Sequence, residues 1–357
     1  DFHRLGTDMY HLAGMERGYL AYHTENDTQD HNKQNDEDVQ KIGDILQLVR
    51  YQNLIFIAIL LWVMEKWVAV PILDNQYYGE QLPWYILLIL IVATLCVAAG
   101  GYVVNDYFDV KIDRINRPGK LIVTQTVSKT AAVRLGWALS GAGMVCGLAA
   151  AWLVRSWSLA IVYVFVPGLL WFYSSSYKRR FLIGNLVVAF VAALTPMMVA
   201  FANVGLLRSQ YGVLLKYTPL EHDLYMWLGG FALFAFLCTL IREIIKDMQD
   251  KQGDCELECR TLPIRLGETW TKVIVTLLIV LTMGLIVYVW YALLPFSHVW
   301  QSLSTRYMVF GLQIPFACEL WLLWAARIPS DYRGAQGLMK LIMFLGMLFS
   351  FVIVRSL

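Results

Sequence analysis

The stretch VAAGGYVVNDYFDVKIDRINRP at residues 97–118 decides the fold, because an apolar run there ends in a series of aspartates. Asp106, Asp109 and Asp113 lie at positions i, i+3 and i+7. On a helix this spacing places all three carboxylates on one face, where they repel each other unless a cation or a proton neutralises them. Ionisable residues at membrane depth are costly and are therefore candidates for a functional site.

The same spacing recurs in REIIKDMQDKQGD at residues 242–254, where Asp247, Asp250 and Asp254 follow another apolar run. Carboxylate oxygens suit Mg²⁺, which usually takes one or two protein carboxylates and completes its shell with water and substrate phosphate. Repetition at a second span end argues against a chance cluster of solvated charges. The two acidic faces are therefore predicted to hold two metal ions and one diphosphate between them.

The composition is that of a membrane protein, with 58% apolar residues, 16% charged residues and a mean hydropathy of +0.53, and it excludes an ordinary soluble domain. Apolar runs long enough to cross a bilayer predict nine helices, at residues 52–73, 84–105, 131–153, 158–174, 182–204, 224–242, 273–295, 307–326 and 336–354. Glu65 and Lys66 interrupt the first run, where they either pair or mark the approach to the far membrane surface. The predicted fold is all-α and surrounded by membrane lipids, and nucleic acid is not an expected partner.

The placement of lysine and arginine predicts how the chain is oriented. The loops after the second, fourth, sixth and eighth spans carry 17 basic residues, namely Lys111, Arg114, Arg117, Lys120, Lys129, Lys178, Arg179, Arg180, Arg242, Lys246, Lys251, Arg260, Arg265, Lys272, Arg327, Arg333 and Lys340. The opposite side carries 5, namely Arg155, Arg208, Lys216, Arg306 and Arg355. Because cytoplasmic loops carry the excess of basic residues, the N-terminus and both acidic faces are predicted to be cytoplasmic. The C-terminus is then predicted to lie outside the plasma membrane, which is the inner membrane of the cell.

The first part of the chain differs from the rest. Residues 1–48 hold 4 Lys or Arg and 10 Asp or Glu, a balance of −6. The stretch 24–38 is almost wholly polar, which is typical of a disordered segment, and residues 1–23 have enough apolar residues for a short helix. We therefore predict a polar, acidic and partly disordered region over residues 1–44, followed by one membrane domain over residues 45–357.

Basic and hydroxyl residues at two cytoplasmic span ends are candidates for binding phosphate. Arg242 and Lys246 are one helical turn apart, and Tyr173, Lys178 and Arg179 lie where the fourth span ends. Such groups suit an anionic leaving group. Two plainer interpretations stay open: ion pairing with neighbouring acidic residues for the first pair, and anchoring at the membrane surface for the second group.

Together these motifs resemble the UbiA superfamily of intramembrane prenyltransferases. The linked pattern is N-D-x-x-D-x-x-x-D, then R-x-N-R-P, then Y-x-x-x-x-K-R, then D-x-x-D-x-x-x-D, and the resemblance covers residues 45–357. Arg50 and Asn53 also resemble the family's entry into its first helix, where a basic residue and an asparagine face the active site. The resemblance implies two four-helix halves and a ninth helix around a central cavity.

The resemblance also implies roles for individual residues. Mg²⁺ is expected at Asn105, Asp106, Asp109, Asp113, Asp247, Asp250 and Asp254. Among these, catalysis is expected to depend on Asp106, Asp109, Asp247 and Asp250, whereas Asp113 and Asp254 either ligate the metal or orient water or a basic side chain. The diphosphate is expected to contact Arg117, Tyr173, Lys178, Arg179, Arg242 and Lys246. The acceptor is expected near Arg50 and Asn53.

Within the superfamily the motifs most resemble the geranylgeranylglycerol-phosphate geranylgeranyltransferase branch. This implies Mg²⁺-dependent transfer of a geranylgeranyl group from its diphosphate to geranylgeranylglyceryl phosphate, giving an ether lipid. An aromatic quinone precursor of the 4-hydroxybenzoate or dihydroxynaphthoate type is the alternative acceptor, because quinone-pathway members share much of the pattern. A cation-coupled transporter is the alternative of another class, although transporter sites usually lie near the bilayer midplane rather than at helix ends.

Overall fold

A computed structural model describes residues 39–75, 81–116, 121–293 and 302–354. Nine helices in this described part are long and apolar enough to cross a membrane, so the chain is a multi-pass membrane protein. We label them α1 Tyr51–Asn75, α2 Trp84–Asn116, α3 Lys129–Leu153, α4 Trp157–Ser175, α5 Ile183–Tyr211, α6 Leu220–Gln249, α7 Gly267–Leu293, α8 Leu303–Ala325 and α9 Pro329–Val354. The predicted all-α membrane fold with nine spans is confirmed.

The chain divides into two units, residues 1–48 and residues 49–357. In the first unit the described residues 39–48 form a helix. The predicted disorder over residues 24–38 and the predicted short helix over residues 1–23 lie outside the described residues. The second unit contains all nine spans and both acidic faces.

The charged residues that interrupt the first apolar run, Glu65 and Lys66, lie where α1 departs from regular α-helix. The helix widens to a π-helix over Glu65–Ala69. Glu65 is fully buried there and accepts a hydrogen bond of 2.7 Å from Nδ2 of Asn203 on α5. A buried carboxylate needs such a donor, because leaving it unpaired in an apolar interior is costly. This asparagine on a distant span is the partner of Glu65, a contact that the sequence had not indicated.

Small residues let α2 and α3 pack closely, as the Gly-Gly pair in the first acidic stretch predicts. A Cβ atom on Gly100 would lie 2.9 Å from the carbonyl oxygen of Gly136 on α3. On the other side of α2, a Cβ atom on Gly101 would lie 2.8 Å from Cδ1 of Leu170 on α4. Helices α2, α3 and α4 therefore form one tightly packed group around the middle of α2.

Helix α1 contacts helices from the first and the second half of the chain. It contacts α2 on one side and α5, α6 and α9 on the other, while α6, α7, α8 and α9 pack in sequence. After α6 the chain turns into the short helix Lys251–Glu256, which packs against α2. The end of the first acidic stretch and the end of the second are therefore brought to the same side of the bundle.

Candidate active site

The first acidic face lies at the end of α2 and meets two cations from other parts of the chain. Nη2 of Arg50 donates to Oδ1 of Asp106 at 2.8 Å. Nζ of Lys178 donates to Oδ2 of Asp109, and Nδ2 of Asn105 donates to the same oxygen at 2.6 Å. Asp109 and Asn105 are buried, whereas Asp106 is partly exposed.

The two cations reach this face from strained or tightly turned backbone. Arg50 has a φ of 53°, in the left-handed region that only glycine adopts freely, and its guanidinium lies 5.0 Å from the centre of the Tyr102 ring. Lys178 lies on a single 3₁₀ turn, Tyr177–Arg179, directly after α4. Burial by itself would lower the pKa of Lys178, but Asp109 and Tyr173 raise the pKa overall, so this side chain is charged at neutral pH.

The second acidic face is held by an asparagine. Nδ2 of Asn185, near the start of α5, donates to Oδ2 of Asp247 at 2.8 Å. Asp254 lies on the short helix after α6 and is buried. The pKa of Asp254 is raised to about 6, chiefly by burial; Lys178 opposes this change and the nearby Asp250 contributes to it. A cation placed at this face would relieve the repulsion between the carboxylates.

Two more cations lie beside the second face and share one carboxylate. Nη2 of Arg242 donates to Oε1 of Glu243 at 2.7 Å, and Nζ of Lys246 donates to Oε2 at 3.3 Å. Glu243 is buried. Ion pairing with neighbouring acidic residues is thus present in the structure, as the plainer interpretation of these residues anticipates. It also holds both cations beside the acidic faces.

The two faces belong to one site. Lys178 pairs with the first face and lies close enough to Asp254 of the second to lower its pKa. Tyr173 is buried, and both Lys178 and Lys246 act on it electrostatically. The loops on either side are tied by their backbones, because N–H of Arg260 donates to the carbonyl oxygen of Arg179 at 2.9 Å.

The donor set fits Mg²⁺, although the aspartates are not preassembled as a metal cluster. Within the described residues, no group of three or more His, Cys, Asp or Glu side chains is gathered closely enough to hold a metal ion. Asp106 and Asp109 of the first face instead pair with Arg50 and Lys178. Mg²⁺ takes few protein carboxylates and relies on water and phosphate for the rest of its shell. Hard oxygen donors on two facing elements are suited to that kind of binding.

The remaining predicted site residues differ in their exposure and in their place on the helices. Asp113 and Asn53 are partly exposed, on the last turn of α2 and the first turn of α1. Arg179 is exposed beside Lys178, and Asp250 follows directly after α6. Arg117 lies outside the described residues. The roles assigned to all these side chains stay predictions.

Comparison with known proteins identifies the family. The model of the UbiA prenyltransferase family matches residues 77–348. This chain belongs to the UbiA prenyltransferase family. The family assignment confirms the predicted enzyme class, prenyl transfer, and decides against the transporter interpretation.

Several relatives of this UbiA chain carry the same name. The digeranylgeranylglyceryl phosphate synthase of Saccharolobus solfataricus is 32% identical over 244 residues, covering 66% of this chain and 75% of that protein. The synthase of Methanopyrus kandleri is 31% identical over 259 residues, covering 72% and 83%. That of Thermococcus kodakarensis is 32% identical over 204 residues, covering 57% of this chain and 64% of its own length.

Solved structures share the UbiA fold. A structure of digeranylgeranylglyceryl phosphate synthase has a TM-score of 0.58 and 22% identity, covering 89% of this chain and 100% of that one. The apo structure of a UbiA homolog from Aeropyrum pernix K1 has a TM-score of 0.57 and 16% identity, covering 84% and 98%. A UbiA homolog from Archaeoglobus fulgidus, bound to DMAPP and Mg²⁺, has a TM-score of 0.50 and 13% identity, covering 88% and 100%.

One residue of the site, Asn185, was missed by sequence reasoning. Asn185 is a single polar residue near the start of an apolar run, and that isolated asparagine is the signal that would have found it. Glu243 lies inside the second acidic stretch but outside its i, i+3, i+7 series, and the ion pairing predicted there between the basic residues and their acidic neighbours is made by Glu243. In the structure Asn185 holds a motif aspartate, and Glu243 holds two candidate phosphate ligands.

Proposed function

We propose that this UbiA enzyme transfers a geranylgeranyl group from its diphosphate to geranylgeranylglyceryl phosphate, with the help of Mg²⁺, and so makes an ether lipid. One observation carries the proposal: Lys178, on the 3₁₀ turn after α4, contacts Asp109 of the first acidic face. Phosphate-binding and metal-binding groups are thus adjacent. The shared name of the relatives from S. solfataricus, M. kandleri and T. kodakarensis supports this acceptor over an aromatic acid.

The two acidic faces are the proposed magnesium ligands. Asn105, Asp106 and Asp109 would hold the metal on one side, with Asp113 in the same series. Asp247, Asp250 and Asp254 would hold it on the other. The binding of DMAPP and Mg²⁺ by the A. fulgidus homolog supports this assignment. When bound, Mg²⁺ neutralises the charge that develops on the pyrophosphate as it leaves.

The cations of the chain bind the phosphate oxygens that remain. Lys178 pairs with the first face, Arg242 and Lys246 precede the second face on α6, and Arg117, Arg179 and Tyr173 complete the proposed diphosphate set. Cations in a partly buried site stabilise a leaving anion more strongly than they would in water. The apolar helices keep water away from the allylic cation, which water would otherwise quench.

The acceptor completes the reaction. Arg50 and Asn53, at the start of α1, are the proposed contacts for its phosphate and glycerol groups. The allylic C–O bond breaks with its electron pair passing to the pyrophosphate. The acceptor hydroxyl oxygen then bonds to the allylic carbon, and its proton passes to the departing pyrophosphate. The products are an ether lipid and protonated pyrophosphate.

The orientation proposed for the chain follows from its basic residues. The side that carries the acidic faces has 17 lysines and arginines, against 5 on the other side. Under the positive-inside rule the active site and the N-terminus are cytoplasmic and the C-terminus is outside the plasma membrane. The proposed donor and acceptor are both anions with apolar tails, which suits a site at the cytoplasmic membrane surface.

The deciding experiment is an acceptor comparison. Purified protein in lipid nanodiscs is given geranylgeranyl diphosphate and Mg²⁺ with geranylgeranylglyceryl phosphate, 4-hydroxybenzoate or dihydroxynaphthoate, and the products are identified by mass. We expect the digeranylgeranyl ether from the first acceptor. Prenylation of an aromatic acid alone would overturn the acceptor assignment and leave prenyl transfer standing.

A further inference from the structure

We propose that Arg50 and Lys178 are exchangeable counter-ions of the first acidic face, which give up Asp106 and Asp109 to Mg²⁺ and move to the phosphate groups of the substrates. The inference rests on the proposed function, because it assumes that the metal and the diphosphate share this site. It adds that the two bind cooperatively, and that two basic residues of the site oppose metal binding in the free enzyme.

The contacts that carry this inference are unlike those of the other two cations. Arg50 and Lys178 pair with motif aspartates, at 2.8 Å from Asp106 for the first. Arg242 and Lys246 pair with Glu243, which is outside both aspartate series. The four basic groups thus form two sets. One set uses carboxylates that the metal needs, and the other uses a carboxylate of its own.

Competition follows from the atoms involved. Oδ2 of Asp109 already accepts hydrogen bonds from Lys178 and Asn105. Asp109 is 7% exposed and Lys178 is 23% exposed, so little water screens the pair. A metal ion bound at this carboxylate would lie against an ammonium group, and two cations so close repel each other. Lys178 must therefore move away when Mg²⁺ binds.

Substrate phosphate gives the displaced cations new partners, the donor diphosphate for Lys178 and the acceptor phosphate for Arg50. Arriving substrate phosphate alone finds Arg50 and Lys178 already paired, and Mg²⁺ alone finds the carboxylates already paired. When both arrive, the metal takes the carboxylates and the cations take phosphate oxygens, so every charge is matched. Each ligand therefore improves the binding of the other, as linkage between two sites requires.

The test measures how tightly the protein binds Mn²⁺, which is used in place of Mg²⁺. The free ion is quantified by its electron paramagnetic resonance signal. The protein is held at pH 8 in nanodiscs of uncharged phosphatidylcholine, without substrate. The variants are Lys178→Met, Arg50→Gln and, as the matched control, Lys246→Met, which removes the same charge from the Glu243 pair. Arg208→Gln, which breaks the exposed pair with Glu221 on the opposite side of the bundle, is the control for a remote loss of charge.

We expect Lys178→Met to bind Mn²⁺ roughly tenfold more tightly than the wild type, the factor that corresponds to releasing one charge-assisted hydrogen bond. Arg50→Gln should also bind Mn²⁺ more tightly than the wild type. Lys246→Met should tighten binding much less, and Arg208→Gln should match the wild type in both Mn²⁺ binding and prenyl transfer. With unreactive geranyl S-thiolodiphosphate, Mg²⁺ should strengthen analogue binding in the wild type and strengthen it less in Lys178→Met.

The outcomes separate this inference from the proposed function. If Lys178→Met and Arg50→Gln, each monodisperse by size-exclusion chromatography, bind Mn²⁺ no more tightly than Lys246→Met, the exchange is refuted. The acceptor comparison on the wild type is unaffected by that result. If the wild type binds no Mn²⁺ with or without the analogue, the exchange and the proposed metal site both fail.

Discussion

Replacing Asn185 by alanine should weaken the second acidic face without unfolding the protein. Asn185 is 8% exposed and donates to Asp247 at 2.8 Å. A hydrogen bond to a charged group contributes about 1.5–3 kcal/mol. Because Asp247 is only partly buried, we take the lower end, about 1.5 kcal/mol, which corresponds to roughly a tenfold change in an equilibrium constant. Mutations of residues that orient metal ligands typically have effects of about this size or larger, 10–100-fold.

The assay measures prenyl transfer as a function of Mg²⁺ concentration at saturating donor and acceptor. We expect Asn185→Ala to need roughly tenfold more Mg²⁺ for half-maximal rate, and Asn185→Gln to recover part of the loss by restoring an amide. The chain supplies a matched control on the same helix. Asn203 is also buried and also donates to a buried carboxylate, Glu65, but near the other end of α5.

Asn203→Ala should therefore lower the melting temperature and leave the magnesium requirement unchanged. The comparison cancels the general cost of removing a buried asparagine from α5. If Asn185→Ala and Asn203→Ala shift the magnesium requirement equally, or neither shifts it, Asn185 does not position Asp247 for metal binding.

Three further predictions concern the site, the orientation and the N-terminal region. Asp109→Ala and Asp250→Ala should each abolish prenyl transfer in protein that still elutes as a single species, and EDTA should do the same reversibly; full turnover in EDTA would refute the metal requirement. In protein whose other cysteines are replaced, the exposed Cys255 should react with impermeant thiol reagents only from the cytoplasmic side, and a cysteine at Lys216 only from outside; the reverse pattern would refute the topology. Deleting residues 1–40 should leave the turnover rate nearly unchanged, and a large loss in correctly inserted protein would show that the region takes part in catalysis.

Local features of the molecule could be predicted from the sequence. Hydropathy gave nine spans because each apolar run is continuous in the chain. The spacing of Asp106 and Asp109 placed both carboxylates at one helix end for the same reason. The close approach of helices at Gly100 and Gly101 also follows from small side chains on one element.

Contacts between distant elements could not be predicted in the same way. Lys178 and Asp109 are 69 positions apart, and Asn185 and Asp247 are 62 apart. The sequence around each of these residues does not indicate its partner, because such pairing depends on how whole helices pack. The resemblance predicts that Arg50 faces the active site near the acceptor, and in the structure its guanidinium contacts Asp106. Only the three-dimensional arrangement shows that a predicted substrate ligand is also a neighbour of a predicted metal ligand.

The pairing of the first acidic face also bears on how the chain enters the membrane. Arg50, Asp106, Asp109 and Lys178 all precede α5, so the ribosome completes this group before it makes Asp247 or Asp254. Unpaired carboxylates beside lipid are costly, and here each of the two aspartates finds a cation within the part already synthesised. Asp106 and Asp109 can therefore be paired within the amino-terminal half of the bundle while the second half is still being translated. Pairing these two aspartates requires neither a metal ion nor any residue of the second half.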